Sequence, residues 1–256
     1  MVELRGLGPG GGSGAPPTPP LPGIALQTER RPAGRTGGPD EHREKDQMKR
    51  GYWAGIAVAA GAAAAGLLLA RRWQLRWGAT AQELAEPLPG DELITGPDLT
   101  ATRALTVRAA ADRVWPWIAQ LGQARGGFYS YDFLENLAGC DIHSADRVVP
   151  EWQDVTAGDK VGLHPEVALE VTAVDPGRSL VLRSAVPGGN ARPPFGFTWA
   201  FVLRPGPDGA TRLIVRERYA YTRPWARFVV EPVAVIDFVM TQKMLNGIRS
   251  RAEQAA

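Results

Sequence analysis

Residues 126–147 read GGFYSYDFLENLAGCDIHSADR. They gather aromatics, acids, the chain's single cysteine and one of its three histidines into a short span. Cys140 and His143 have Cys-x-x-His spacing, with Asp141 and Asp146 beside them. A closed metal site needs about four suitable ligands. The remaining histidines are His42, on the far side of a long apolar run, and His164, so no metal site is expected. A Cys–His nucleophile would need spatial contact and an oxyanion hole, and no motif supplies either.

The plainer chemistry of this stretch is cover. Gly126 and Gly127 allow a tight turn, and Phe128, Tyr129, Tyr131 and Phe133 can cover apolar surface. Ser130 is placed to cap a short helix over 131–138, with Asp132 in its first turn and Gly139 as its stop. The segment 128–138 is thus expected to be a glycine-hinged lid over a cavity mouth, with His143 bonded to a backbone carbonyl.

A second candidate group comes from strand parity. In FTWAF, Phe197, Trp199 and Phe201 share a face; in LIVRERY, Leu213, Val215, Glu217 and Tyr219 share one, while Arg216 and Arg218 point away. The apolar majority marks the first faces as inward, which carries the Glu217 carboxylate inside. A buried carboxylate needs a partner or takes up a proton. Glu217 is therefore read either as an acid–base group or ligand anchor, or as an ion-pair partner of Arg103 or Arg183. The acid–base candidates are Glu217, His143 and Tyr129. The expected ligand-binding residues are Phe128, Tyr129, Tyr131, Trp199, Phe201, Glu217 and Tyr219. No triad, phosphate loop or cofactor motif is present, and no cofactor is expected.

The elements that must position these residues follow from pattern. The chain has 256 residues and a formal charge of +2, too weak a bias for nucleic-acid binding. Residues 1–47 are Pro/Gly-rich with little that could form a core, and disorder is expected. Met48 opens MKRGYWAGIAV, which reads equally as a natural N-terminus, making the first 47 residues a start-site artefact; the sequence leaves both open.

Residues 51–70 carry no charge. As a helix they span about 30 Å, the thickness of a bilayer core. Tyr52 and Trp53 stand at one end, Trp73 and Trp77 past the other, with Lys49, Arg50, Arg71, Arg72 and Arg76 flanking. A single-pass anchor is expected, with the bilayer as partner, and the shorter start places the following domain on the cytoplasmic side. Gly51, Gly55 and Ala59 give small-xxx-small spacing for a weak homodimer contact. Residues 71–98 read as a linker.

From residue 99 the order is a strand (TRALTVRA), a short helix interrupted by Pro116, the short helix above, and strand-like runs separated by turn signals. A long amphipathic C-terminal helix follows, with Val229, Val233, Ile236, Met240 and Met244 at helical spacing and Pro232 at its first turn. Successive strands with tight turns favour an antiparallel meander. The expected fold class is α+β, a helix-grip: a curved antiparallel sheet around a long C-terminal helix, preceded by a transmembrane helix.

On this element order, the RAAADRVWPWIAQLG opening and the FTWAFVLRPGPDGATRLIVRERY hairpin, residues 99–253 resemble the START-like (SRPBCC) superfamily, which includes polyketide cyclases and dehydrases and lipid-transfer domains. The chain is also similar to a bacterial subgroup that carries GGFYSYDFLENLAGCDIHSADRVVPEWQ behind an N-terminal anchor. The resemblance implies a START-like domain over 99–256 with a cavity for a small hydrophobic ligand: lipid, isoprenoid or polyketide-like. It implies no single activity, because such folds host carriers, enzymes and assembly factors alike. The leading expectation is a membrane-tethered binding module; the alternatives are a cyclase/dehydrase-type enzyme and a non-enzymatic regulator or assembly factor.

Overall fold

The computed structural model describes residues 39–184 and 194–254. The expected disorder of the N-terminal segment lies outside them up to residue 38, as does one of the turn signals between the strand-like runs, PGGN at 187–190. The chain divides into two compact units, Met1–Ile56 and Ala57–Ala256. Helix α1, Pro39–Gln74, runs through that boundary. Its Ala- and Leu-rich composition favours helix and offsets the cost of Gly51, Gly55, Gly61 and Gly66. Residues 47–70 along it are exposed throughout.

The second unit is α+β. After α2 (Ala81–Ala85) come β1 (Leu99–Val107), α3 (Ala111–Ala119) and α4 (Asp132–Leu137). Then follow β2 (Lys160–His164), β3 (Val167–Asp175), β4 (Ser179–Ser184), β5 (Phe195–Pro205) and β6 (Thr211–Tyr221). Helix α5, Arg227–Gln254, closes the chain. The six strands form one antiparallel sheet in the order β1-β6-β5-β4-β3-β2. Consecutive strands pair from β3 to β6, as the turn signals predict; β2 adds to β3 at one edge, and β1 pairs with β6 at the other. The result is a helix-grip-like arrangement. Strand β2, KVGLH, has a glycine at its centre and a register shift beside it, which is why its pattern gives no strand signal.

The core lies between the sheet's inner face and the helices. Phe201, Leu213 and Val215 meet Met244, Leu245 and Ile248 of α5 and Val114 and Ile118 of α3. Pro232 sits in the second turn of α5, not the first: the helix begins at Arg227. A proline there forfeits one helical hydrogen bond.

The outer face is covered as well, by residues expected to be a linker. Ala104, Val202 and Ile214 point outward and are apolar, and Leu88 packs over them. The carbonyls of Leu75 and Trp77 accept the β1 amides of Thr102 and Ala104, at 2.8 and 3.0 Å. Thr80 and Glu83 form a reciprocal cap that starts α2. Glu83 then receives Arg212 at 2.7 Å, and Asp91 receives Arg216 at 2.6 Å and Arg218 at 2.7 Å. Burial alone would raise Asp91, but the Leu88 amide and the two guanidiniums outweigh it and hold the carboxyl below its ordinary range. The arginines that parity turns outward are thus sealed under the connector. Five charges that would contribute little alone, Glu83, Asp91, Arg212, Arg216 and Arg218, act here as one partly buried network.

Candidate functional site

Between the sheet's inner face and α5 lies a cavity of about 370 Å³. Its walls are mainly apolar. Phe195, Phe197, Trp199 and Tyr219 come from β5 and β6, Phe128 and Leu163 from the far side, and Val233, Ile236, Met240 and Met244 from α5. The aromatic residues form a chain in which successive ring centroids lie 4.7 to 6.5 Å apart, from Tyr219 through Phe197 to Trp199. Alternation on β5 and β6 puts these rings on one side, and the antiparallel register sets Phe197 opposite Tyr219 and Trp199 opposite Glu217. Of the expected α5 stripe, Val233, Ile236, Met240 and Met244 border this space and Val229 does not, and Val233 and Ile236 are exposed at its mouth.

One end of the cavity is polar. Glu217 is almost fully buried and takes Arg103 Nη1 at 3.1 and 3.2 Å to its two oxygens. The same nitrogen donates to Asp237 Oδ2 at 2.8 Å. Thr241, one turn further along α5, reaches Glu217 Oε1 and Asp237 Oδ1, both at 3.3 Å. Arg103 also donates from Nε to the Gln74 carbonyl and lies over the Phe238 ring at 5.5 Å. Two carboxyl groups therefore share one guanidinium in a largely apolar setting. Burial pushes Glu217 well above the usual carboxylate range, and the neighbouring Asp237 pushes it further, against the opposing pull of Arg103. Two carboxyl groups crowded onto one guanidinium thus favour the protonated form of Glu217. Two buried donors, Arg103 Nη2 and Trp199 Nε1, have no partner among the described residues.

A third carboxyl stands at the opposite lip. Glu135 of α4 lines the cavity with Ser130 and accepts the Ser130 hydroxyl. Burial raises it, with Asp132 adding repulsion. Ser130 is thus spent on Glu135 and does not cap α4, whose N-cap is Tyr131 with no side-chain hydrogen bond. Asp132 instead accepts the Ser144 amide and hydroxyl at 2.7 and 2.6 Å.

The sequence-derived candidates separate clearly. Phe128, Trp199, Glu217 and Tyr219 border the cavity. Phe201, one more step along β5, is sealed in the core. Tyr131 and Phe133 point outward; the Tyr131 ring has Lys243 Nζ at 5.7 Å. Tyr129 is buried against Trp117, with the Arg251 guanidinium 4.7 Å from its ring centre, and does not border the cavity. Burial raises its phenol, which disfavours a role as base. Its backbone is left-handed, with φ 56°, and is held by a 2.9 Å bond from its amide to Ser144 Oγ. His143 is 82% exposed and faces Asp141 at 3.3 Å, so it meets neither a carbonyl in the core nor the cavity. Cys140 is partly buried, and burial raises its thiol.

The hinge expected at Gly126 and Gly127 is instead a packed corner. A Cβ on Gly127 would stand 2.8–2.9 Å from the backbone of Ser144 and His143. The Gly126 carbonyl accepts the Ala145 amide, and Asn136 bridges both ways to Ile142. Only the outward face of α4 is free of such ties.

Sequence reasoning missed Asp237 and Thr241. Their signal was a lone acid and a hydroxyl at i, i+4 inside VAVIDFVMT, an otherwise apolar helical run.

No protein-family model matches the chain, and no curated protein matches it. Among solved structures, it is similar to MLL2253 from Mesorhizobium loti at 13% identity, over 62% of this chain and 99% of that one, with a TM-score of 0.38. It is similar to Ms6760 from Mycobacterium smegmatis at 21% identity over 62% and 93%, with a TM-score of 0.34. It is also similar to DynU16, a protein of the dynemicin biosynthetic locus, at 19% identity over 59% and 47%, with a TM-score of 0.35.

Proposed function

We propose that this is a membrane-tethered, START-like (SRPBCC) binding module whose cavity takes a small apolar ligand of lipid, isoprenoid or polyketide-like character. The observation that carries the reading is the cavity itself: aromatic and aliphatic walls around an open space, with hydrogen-bonding groups confined to its ends. Cavities of this kind gain affinity from buried apolar area and orientation from a few polar groups. Arg103 is already engaged by the carboxyl groups of Glu217 and Asp237, so it is not free to pair with a ligand carboxylate or phosphate. The unpaired Nε1 of Trp199, on the cavity wall, suits a neutral acceptor oxygen.

The tether is supported by one helix, Gln47–Gln74, long and apolar enough to cross a membrane, with mean hydropathy 1.9 over its most apolar window and none of that window buried. Carbonate extraction of membranes bearing the full chain tests this; release into the soluble fraction overturns it. Native mass spectrometry of the full chain tests the cavity. A co-purifying neutral species is expected, lost when Met240→Trp fills the space. A wild type that never carries one overturns the reading.

A second reading, a cyclase/dehydrase-type enzyme, is favoured by the Glu217–Asp237 pair, two carboxyl groups joined through Thr241 in an apolar site, one of them raised by burial. It predicts that a bound species loses water on incubation with the wild type but not with Asp237→Asn.

A further inference from the structure

The first half of α5 exposes an apolar surface that the fold does not explain. Phe228 is 75% exposed, Ile236 64%, and Trp225, just before the helix, 53%. Across the cavity mouth, Phe133 and Leu137 of α4 are 76% and 77% exposed. Large side chains left bare in neighbouring segments mark an interaction surface. Three observations select its occupant. First, basic residues border it: Arg223 and Arg227 flank Trp225, and the Arg227 guanidinium lies 5.9 Å from the Phe228 ring centre. Aromatic and basic residues so interleaved suit the headgroup boundary of an anionic bilayer.

Second, the last turn of α1 is fixed to this same stretch of α5. Gln74 Nε2 donates to the Ala234 carbonyl at 2.7 Å, and Arg71 pairs with Glu231. From one contact to the other, each helix steps back three residues, so the two run in the same direction. Trp77, just past α1, lies 6.5 Å from Phe238 and continues the same direction. Third, continuing that step at 1.5 Å per residue brings Leu67 and Leu68 level with Arg227 and Phe228. The N-terminus of α5 therefore points toward residues 57–70, the part of the apolar stretch within the same unit.

We propose that residues 223–229, with the exposed face of α5 beyond them, rest in the interfacial layer of the lipid bilayer and hold the cavity mouth against it. This rests on the tethered reading above. It makes the bilayer the ligand's immediate source or destination, so the ligand need not cross water.

The test uses the full chain in vesicles containing anionic lipid, on a Cys140→Ala background. One variant carries Phe228→Cys, the other Asp208→Cys in the β5–β6 turn; each is labelled with an environment-sensitive dye. At 228, emission should shift to the blue, lipid-borne quenchers should act, and aqueous iodide should quench several-fold less than at 208. Equal iodide quenching at both positions in protein that survives carbonate washing overturns the proposal and leaves the tether standing. Release of the protein by the wash overturns the tether and the proposal together.

Discussion

The two halves of α5 obey different rules. From Lys243 to Ala252 the helix is amphipathic in the ordinary way: Met244, Leu245, Gly247, Ile248 and Ala252 are buried, while Lys243, Arg249 and Ser250 face water. From Phe228 to Val239 apolar residues occupy both faces, with Val230, Ala234 and Phe238 buried and Phe228, Val235 and Ile236 exposed. A helix apolar all round is expected where both sides have apolar surroundings. The C-terminal half serves packing. The N-terminal half serves the cavity and what lies at its mouth.

The sharpest way to break this contrast is at Gly247. A Cβ there would stand 2.3 Å from the Tyr129 carbonyl oxygen, inside the most tightly packed contact of the C-terminal half. Gly247→Val should cost about 3 kcal/mol in chemical denaturation of the full chain, the upper part of the range for overpacking. A loss no larger than that of a surface substitution would show that the C-terminal half is not rigidly held.

Shortening the chain to begin at residue 99 should act on the other half. It removes Arg71, Trp73 and Gln74, which cover Glu231, Phe238 and Ala234. Amide exchange should then accelerate across 230–238 and stay slow across 244–248, because local opening follows lost contacts. Uniform acceleration would mean that α5 is one cooperative unit.

Glu217→Gln probes the seam between the halves. The folded-state pKa of Glu217 lies above its ordinary value of 4.5, so between the two values the folded chain binds the extra proton. Wild-type stability should therefore fall as pH rises from about 4.5 through that window. The variant, which cannot ionise, should lose this slope and be at least as stable as wild type at the upper end. Melting temperatures across pH check it; an unchanged slope would place the ionisation elsewhere.

The smallest effect belongs to Ile236→Ala. At 64% exposure it should change stability by no more than about 0.5 kcal/mol, while weakening retention of the cavity's ligand in native mass spectra. A loss comparable to Gly247→Val would erase the distinction between the halves.

What the sequence made legible follows the range of the forces involved. The meander was readable because each turn signal is local, and Glu217's inward aim because strand parity is rigid. The stripe from Val229 to Met244 was readable as a helix face but not as a cavity wall, since periodicity reports which residues avoid water and not whether atoms fill the space they border. Asp237 was hidden because its partner Arg103 lies 134 residues away. The connector's role was hidden for the same reason. Pro and Gly in 71–98 signal turns, while the arginines that make those turns adhere sit more than a hundred residues later, on β6.

Those two carbonyls of Leu75 and Trp77 have a consequence for solubility. An outermost strand ordinarily presents unpaired amides that can recruit a strand from another molecule. Here Thr102 and Ala104 of β1 are already answered from within the chain, and at the other margin the Gln123 amide donates to Gly162 of β2. The sheet is hemmed on both sides. A chain cut at residue 99 would expose the β1 margin, and it should self-associate through strand addition, with the rate rising with protein concentration, in a way the intact protein does not.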